Sequence, residues 1–356
     1  MDINRNMVQD KRLEKQVPEA LGTALGVSWT KIMPVRRKDA SAAIDAMFTA
    51  LGRTFAVAVK AAASAASVAL AAKRLRESAD RMRPPATPLV VVPFMGDVGR
   101  RVCEEAGVNW LDLSGNAHIM AGDLRIRFEG RPNKFRAVGR PADVFAPKSA
   151  RVVRWLLIHA DQSVSQREIA RATDMDEGFV SRIVARLERE HYIIRDERSA
   201  VRARDPNLLL DAWRERYDFS RHHLIRGHIA ARSGESLLRS VAEALNTEKI
   251  EYAATGLAAA WMFTHFAAFQ LTTIYLAADP SDALLRGFAF REEARGANVW
   301  LVIPKDAGVF HGGVSEGGVH CVHPVQAYLD LKDQPERAAE AAERLRAEQL
   351  TRGWHA

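Results

Sequence analysis

Between residues 150 and 204 the spacing of the apolar positions changes repeatedly, and each change marks an element. Val152, Val153, Leu156 and Leu157 recur three and four residues apart, the period of one face of an α-helix, and the stripe ends near His159-Ala160-Asp161. Ser165-Gln166-Arg167-Glu168 then has both ends of a capping box. The Ser165 hydroxyl can accept from the Glu168 N–H, and the Glu168 carboxylate can reach back to the Ser165 N–H. Ile169 and Ala170 are the apolar face of the short helix that this cap opens, and Thr173-Asp174-Met175-Asp176 supply a turn. Val180, Ile183, Val184 and Leu187 restore the helical period, with Ser181, Arg182 and Arg186 on the other side and Glu177 and Gly178 at the N-terminal end. Tyr192–Arg195 and Val201–Arg204 then alternate as two short strands around residues 196–200.

Helix, capped helix, turn, longer helix and hairpin, in that order, describe a winged helix-turn-helix, whose longer helix, after the turn, enters a DNA major groove. By that reading Ser181, Arg182 and Arg186 reach or approach base edges, where arginine pairs with guanine. Gln166 and Arg167 clamp phosphate from the start of the preceding helix, and Arg198, Arg202 and Arg204 grip the backbone from the wing. The segment is not uniformly basic: residues 165–204 hold nine arginines against eight acids, so docking to a protein is the competing use of such a module. The flank favours DNA, because residues 124–154 contain Arg125, Arg127, Arg131, Lys134, Arg136, Arg140, Lys148, Arg151 and Arg154 against only Glu129 and Asp143. Lys148 and Arg151 join the candidate contacts as phosphate-positioning residues.

Composition changes this picture little. A chain of 356 residues is long enough for two or three domains, and its formal net charge of +7 suits a polyanionic partner. Cys103 and Cys321 are the only cysteines, which predicts neither a disulfide scaffold nor a zinc site. The polar start, MDINRNMVQDKRLEKQ, is not a secretory signal, and the longest apolar run, Thr54–Ala72, is broken by Lys60 and falls short of a membrane span. The expectation is a cytoplasmic protein without a membrane partner.

Residues 1–40 are weakly patterned. After them the sequence predicts a helix over Ala42–Leu51, a strand over Arg53–Lys60, an Ala-rich helix over Ser64–Ser78, and a proline-rich loop over Arg81–Pro88. A buried strand over Leu89–Pro93, a helix over Gly96–Ala106 and a strand over Val108–Leu113 follow, implying a mostly parallel sheet covered by helices. Over residues 42–130 this order resembles the Mrr-like branch of the restriction-endonuclease fold, in which a strand ending in Glu-x-Lys precedes helix, strand, helix and strand. The matching tripeptide is Ala58-Val59-Lys60. The resemblance implies a metal site built on carboxylates, but none stands at Ala58, and Lys60 alone holds no metal. Asp112 and the pair Glu129/Arg131 are the substitutes on offer, yet Asp112 opens Asp112-Leu113-Ser114-Gly115-Asn116, where Asp, Gly and Asn serve a turn. The domain is therefore expected to be inactive.

In the C-terminal half, residues 205–235 read as an Arg-rich connector, helical around Leu208–Tyr217. Tyr252–Gly256 leads into an apolar helix through about Phe266. Strands are predicted over Leu271–Leu276, Asn298–Ile303 and Gly318–Val322, and helices over Pro324–Leu331 and Glu336–Leu350. Gln326, Tyr328 and Asp330 suggest a polar cluster, although Pro324 at a helix start explains part of that pattern. His320 and Cys321 are adjacent in a strand and point to opposite faces, so no metal site is expected with His311 and His323. The phrases YAATGLAAA, NVWLVIPKD and PVQAYLDLKDQPERAAEAAERLR resemble the C-terminal domain of AbiEi-type antitoxins, and PADVFAPKSARVVRWLL and LDLSGNAHI–RFEGRP fit the same family. The resemblance spans the chain from about residue 89. It implies a transcriptional regulator that binds its own promoter, as a homodimer or as several copies on repeats, with a nucleotidyltransferase-type toxin or its gene as partner. That family usually carries its winged helix at the N-terminus, whereas here an extra α/β domain precedes it.

Taken together, the sequence predicts a multidomain α/β (α+β) protein. A weakly patterned segment covers 1–40, an endonuclease-like α/β domain 41–145, the winged helix-turn-helix 146–205 and an AbiEi-like α/β domain 206–356. The expected function is DNA-binding transcriptional regulation as an antitoxin-like autorepressor, with no enzymatic activity, catalytic residue, cofactor or metal. The alternative is a metal-dependent DNA nuclease of the restriction-endonuclease fold, targeted by the winged helix.

Overall fold

A computed structural model describes residues 10–35, 43–135, 143–293 and 295–354. Arg136 and Arg140 of the basic flank, and parts of the 1–40 segment, lie outside the described residues. The chain divides into two compact units, one of Met1–Pro141 with Arg189–Tyr192 and one of Ala142–Glu188 with Ile193–Ala356.

The first unit is a seven-stranded sheet in chain order, β1 (Met33–Pro34), β2 (Ala46–Ala50), β3 (Arg53–Val59), β4 (Thr87–Val92), β5 (Asn109–Asp112), β6 (Ala117–Ala121) and β7 (Leu124–Phe128). Helix α1 (Val17–Leu25) covers one face, while α2 (Ala65–Arg81) and α3 (Asp97–Glu105) are the crossovers from β3 to β4 and from β4 to β5. The period-two rule divides β3 between two cores: Phe55, Val57 and Val59 pack with Val17 and Leu21, and Ala56 and Ala58 pack with Val68, Leu75 and Trp110.

Two expectations are corrected here. Only β3–β4 and β4–β5 are parallel; the other pairs are antiparallel, so the sheet is mixed. Residues 46–50, expected in a helix, form a strand paired with β3 through Leu51 and Gly52, whose φ angles are +48° and +70°. Two successive positive φ values are the signature of a tight hairpin turn, which overrode the helical preference of the alanines.

Neither Lys60 nor Asp112 is free for nuclease chemistry. Lys60 Nζ lies 3.0 Å from Asp45 Oδ2, which also accepts from the Val59 N–H at 2.8 Å, while Ala58 is wholly buried. The buried Asp112 carboxylate accepts from the N–H groups of Met95, Gly115 and Asn116 and from the Asn116 amide.

The second unit opens with α4 (Ala150–Ile158), α5 (Gln166–Ala172), α6 (Glu177–Arg189) and a ribbon of β8 (Ile193–Arg195) and β9 (Val201–Ala203), to which Val164 adds a bridge at Val201. Val152, Val153, Leu156, Leu157, Ile169, Val180, Ile183, Val184 and Leu187 are all buried, as the stripes require. Helix α7 (Pro206–Arg216) follows, with Asp205 accepting from the Leu208 N–H and Pro206 in the first turn.

A second sheet comes next, built from β10 (His223–His228), β11 (Tyr252–Thr255), β12 (Thr272–Leu276), β13 (Arg291–Glu292), β14 (Val299–Ile303), β15 (Val314–Glu316) and β16 (Val319–Cys321). Its order is β13-β10-β14-β12-β11-β16-β15, with β12–β14 and β11–β16 parallel. Strand β10 lies inside the stretch expected to be a connector, and α8 (Gly234–Thr247) falls between the elements read from the sequence. The helices α9 (Gly256–Thr264), α10 (Asp282–Gly287), α11 (Pro324–Asp330), α12 (Ala338–Leu345) and α13 (Thr351–Trp354) complete the unit. Gly256 is required where β11 turns into α9: its φ is +57°, and a Cβ there would come within 2.5 Å of the Gln334 side chain.

Candidate nucleic-acid interface

The helix-turn-helix is held by local hydrogen bonds that the sequence spells out. Ser165 Oγ accepts from the Glu168 N–H at 3.2 Å, and the Ser165 N–H donates to Glu168 Oε2 at 2.7 Å, completing the capping box. Those bonds also hold the Glu168 carboxyl below the usual range, the backbone donor at Ser165 contributing most. Asp174 takes a left-handed conformation at φ +50°, the Met175 N–H returns to the Ala170 carbonyl at 3.0 Å, and Asp176 Oδ1 accepts from the Phe179 N–H at 2.9 Å to start α6. Because the cap satisfies N–H groups at the start of α5 that the helix leaves unpaired, Ser165→Ala should lower the stability of this region by about 1 kcal/mol. A urea midpoint matching the parent protein would count against the cap's importance.

The outward face of α6 presents Ser181 and Arg182, both exposed, with Arg186 half-buried. Phe179 gathers two cations: Arg182 Cζ lies 5.6 Å and Lys148 Nζ 5.7 Å from its ring centroid. Lys148 comes from the residues preceding α4, so the fold unites a candidate base reader and a candidate phosphate contact at the N-terminal end of α6. Gln166 is half-buried at the start of α5. Arg167 is exposed and 3.5 Å from Glu177, across the turn. On the ribbon Arg198, Arg202 and Arg204 are exposed. Asp196 Oδ1 shapes the tip by accepting from the N–H groups of Arg198 and Ala200, each at 2.9 Å. Arg195 is spent locally, its Nε 2.9 Å from both Glu188 oxygens.

Arg151 does not belong with this set. Its guanidinium donates to both oxygens of Asp306, at 2.7 and 3.0 Å, and to the Thr173 carbonyl at 3.0 Å, and its side chain is only 15% exposed. It is an internal strut tying α4 to the helix-turn-helix turn and to the loop after β14. Arg154, counted in the basic flank, is likewise turned inward and is 4% exposed. Sequence reasoning missed Phe179. The signal was available, since an aromatic flanked by Gly178 and Val180 in the first turn of α6 lies off the buried stripe.

A capped helix pair, an exposed cationic edge on the second helix and a β-ribbon with arginines together define a winged-helix DNA-binding protein. Comparison with known families agrees: residues 146–205 match the MarR family, and residues 202–351 match the transcriptional regulators described as AbiEi antitoxin of type IV toxin–antitoxin systems. The chain thus combines a MarR-type winged helix with an AbiEi-type domain and is a DNA-binding regulator of the antitoxin type. Both matched families are regulators, and the nuclease alternative finds no support in them. No curated protein and no solved structure matches the chain. Among the described residues no helix is long and apolar enough to cross a membrane.

Proposed function

We propose that this regulator is an autorepressor that binds its own promoter with α6 in the major groove. The observation that carries the reading is the pairing of Lys148 and Arg182 around Phe179 at the N-terminal end of α6, with Arg198, Arg202 and Arg204 exposed on the adjoining ribbon. In this reading Arg182 and Ser181 read bases, and Arg186 approaches them. Lys148, Gln166 and Arg167 set the register on phosphates, and the three wing arginines follow the backbone. The protein acts as a cytoplasmic homodimer, without catalysis, and its AbiEi-type domain opposes a nucleotidyltransferase-type toxin.

The test is a footprint and a salt titration on the upstream region of its own gene. Arg182→Ala should cost about 1–3 kcal/mol of discrimination between that site and mixed-sequence duplex. Arg202→Ala should weaken both equally and reduce the salt slope by about one unit. A footprint unchanged by Arg182→Ala would show that α6 does not read the sequence.

A further inference from the structure

Arg154 is the least satisfied charge among the described residues of the second unit. It stands on α4, 4% exposed, and among the described residues makes a single hydrogen bond, from Nη2 to Gln326 Oε1 at 2.5 Å. Its Nε and Nη1 are buried with no hydrogen-bond partner among the described residues. The guanidinium lies 5.2 Å from the Trp213 ring centroid, which supplies quadrupole attraction but no acceptor. The nearby carboxylates are committed elsewhere: Asp306 to the Arg151 fork, and Asp330 to Thr255, Tyr217 and Gln326. A buried guanidinium with unused donors is costly unless an anion meets it.

The surroundings fit such an anion. Arg154 lines a narrow cleft whose walls also carry Pro147, Trp213 and Val309. Exposed Lys305, Arg216 and Arg221 stand at its mouth. Asp218, the other acid lining it, accepts from the N–H and hydroxyl of Ser220. The cleft therefore grades from exposed cations, past apolar walls, to a buried cation with unused donors.

We propose that this cleft binds a small oxyanion, a carboxylate or a phosphate, which is held by Arg154 and drawn in by Lys305 and Arg221. The oxyanion accepts from the unused N–H groups of Arg154, bonds of the charge-assisted kind. Its position also gives it a regulatory role. Arg154 belongs to the first helix of the winged helix, and its one bonded partner, Gln326, belongs to α11 of the AbiEi-type domain. A ligand here bears on the segment that holds α4 in place, so its binding is coupled to operator affinity. The coupling rests on the DNA-binding reading above; the site itself does not.

The experiment separates the two. DNA-free full-length protein is titrated calorimetrically with inorganic phosphate and, separately, with benzoate, at fixed pH and at ionic strength set by chloride. At least one probe should bind saturably, one per chain, and raise the unfolding midpoint. Binding by phosphate alone assigns the site to a phosphoryl or inorganic anion; binding by benzoate assigns it to a carboxylate with an apolar body. Arg154→Lys should weaken that probe about tenfold. Since Arg154 is buried, the double variant Arg221→Gln/Lys305→Gln, altered only at exposed positions, serves as the second arm and should weaken binding about threefold. Failure of both probes to saturate, or affinities unmoved by both variants, overturns the site. Operator affinity unchanged by a saturating probe overturns the coupling.

Discussion

Asp330→Ala is expected to destabilise the second unit by about 3–5 kcal/mol, the range found when one member of a buried charged network is deleted. The Asp330 carboxylate is wholly enclosed and accepts from Thr255 Oγ1 at 2.5 Å, from Gln326 Nε2 at 2.7 Å and from the Tyr217 hydroxyl. Tyr217 in turn lies 3.0 Å from Gln326 Nε2 and 3.0 Å from His222 Nε2. Alanine would leave these donors without their acceptor and would remove a negative charge that compensates Arg154. Asp330→Asn keeps the shape and one acceptor oxygen, and should cost about 1–3 kcal/mol, the range for a buried group left imperfectly paired. Urea unfolding followed by hydrogen exchange within residues 202–351 reads both values. A loss below about 1 kcal/mol for the alanine variant would mean that water satisfies the network and that burial is not what makes it matter.

This network shows where the sequence stops being readable. The winged helix was legible because its determinants are local: the capping box spans four residues, and the stripes of α4 and α6 lie within single helices. Gln326 and Asp330 could be paired for the same reason, being one helical turn apart, and they do meet. Tyr328, read with them, cannot share their face; its hydroxyl meets Arg214 and Arg346 instead. The partners Arg154, Tyr217 and Thr255 come from three other elements, and no spacing rule links Arg154 to a glutamine 172 positions away. For that reason Arg151 looked like a phosphate contact and Arg154 like part of a basic flank: a run of cations reveals its charge but not which side chains find internal acceptors.

Strand β10 was hidden differently. Its residues are half-buried or exposed for most of their length, and Arg226 covers the Trp300 ring at 5.2 Å, so the alternation that marks a half-buried strand is weak. Helix α8 obeys the ordinary rules, with Ser233 as cap and Leu237, Leu238, Val241, Ala242 and Leu245 buried, and could have been read. In the first unit, the alanines of 42–51 suggest a helix by propensity, and only the pairing of β2 with β3 makes the Leu51-Gly52 turn decisive.

Acidification should destabilise the second unit steeply, by a net of about 3 kcal/mol between pH 6.5 and pH 4. Burial, reinforced by the nearby Arg154 charge, pushes the imidazoles of His222 and His323 down to about 4. Geometry gives the same direction. His222 Nδ1 accepts from the Lys305 N–H at 3.0 Å, and His323 Nδ1 caps α11 by accepting from the Val325 N–H at 3.1 Å, so protonating either nitrogen breaks a backbone hydrogen bond. A histidine with a depressed folded pKa binds its proton more readily unfolded. Its stability contribution is therefore intact above pH 6.5 and lost as pH falls toward 4, about 3 kcal/mol for each ring. His311, also lowered chiefly by burial, acts in the same sense.

Asp330 acts oppositely. Burial raises its carboxyl to about 6, against the pull of its hydrogen bonds to Thr255, Tyr217 and Gln326, so the folded state takes up its proton first and gains stability as pH falls from 6 toward 3.8. That gain offsets roughly one of the two histidines. The unfolding free energy measured between pH 7 and pH 4.5 should fall accordingly, and more shallowly for His222→Asn, which keeps a neutral polar side chain that cannot take up a proton in this range. A slope that His222→Asn leaves unchanged would exclude this ring as a source of the acid sensitivity.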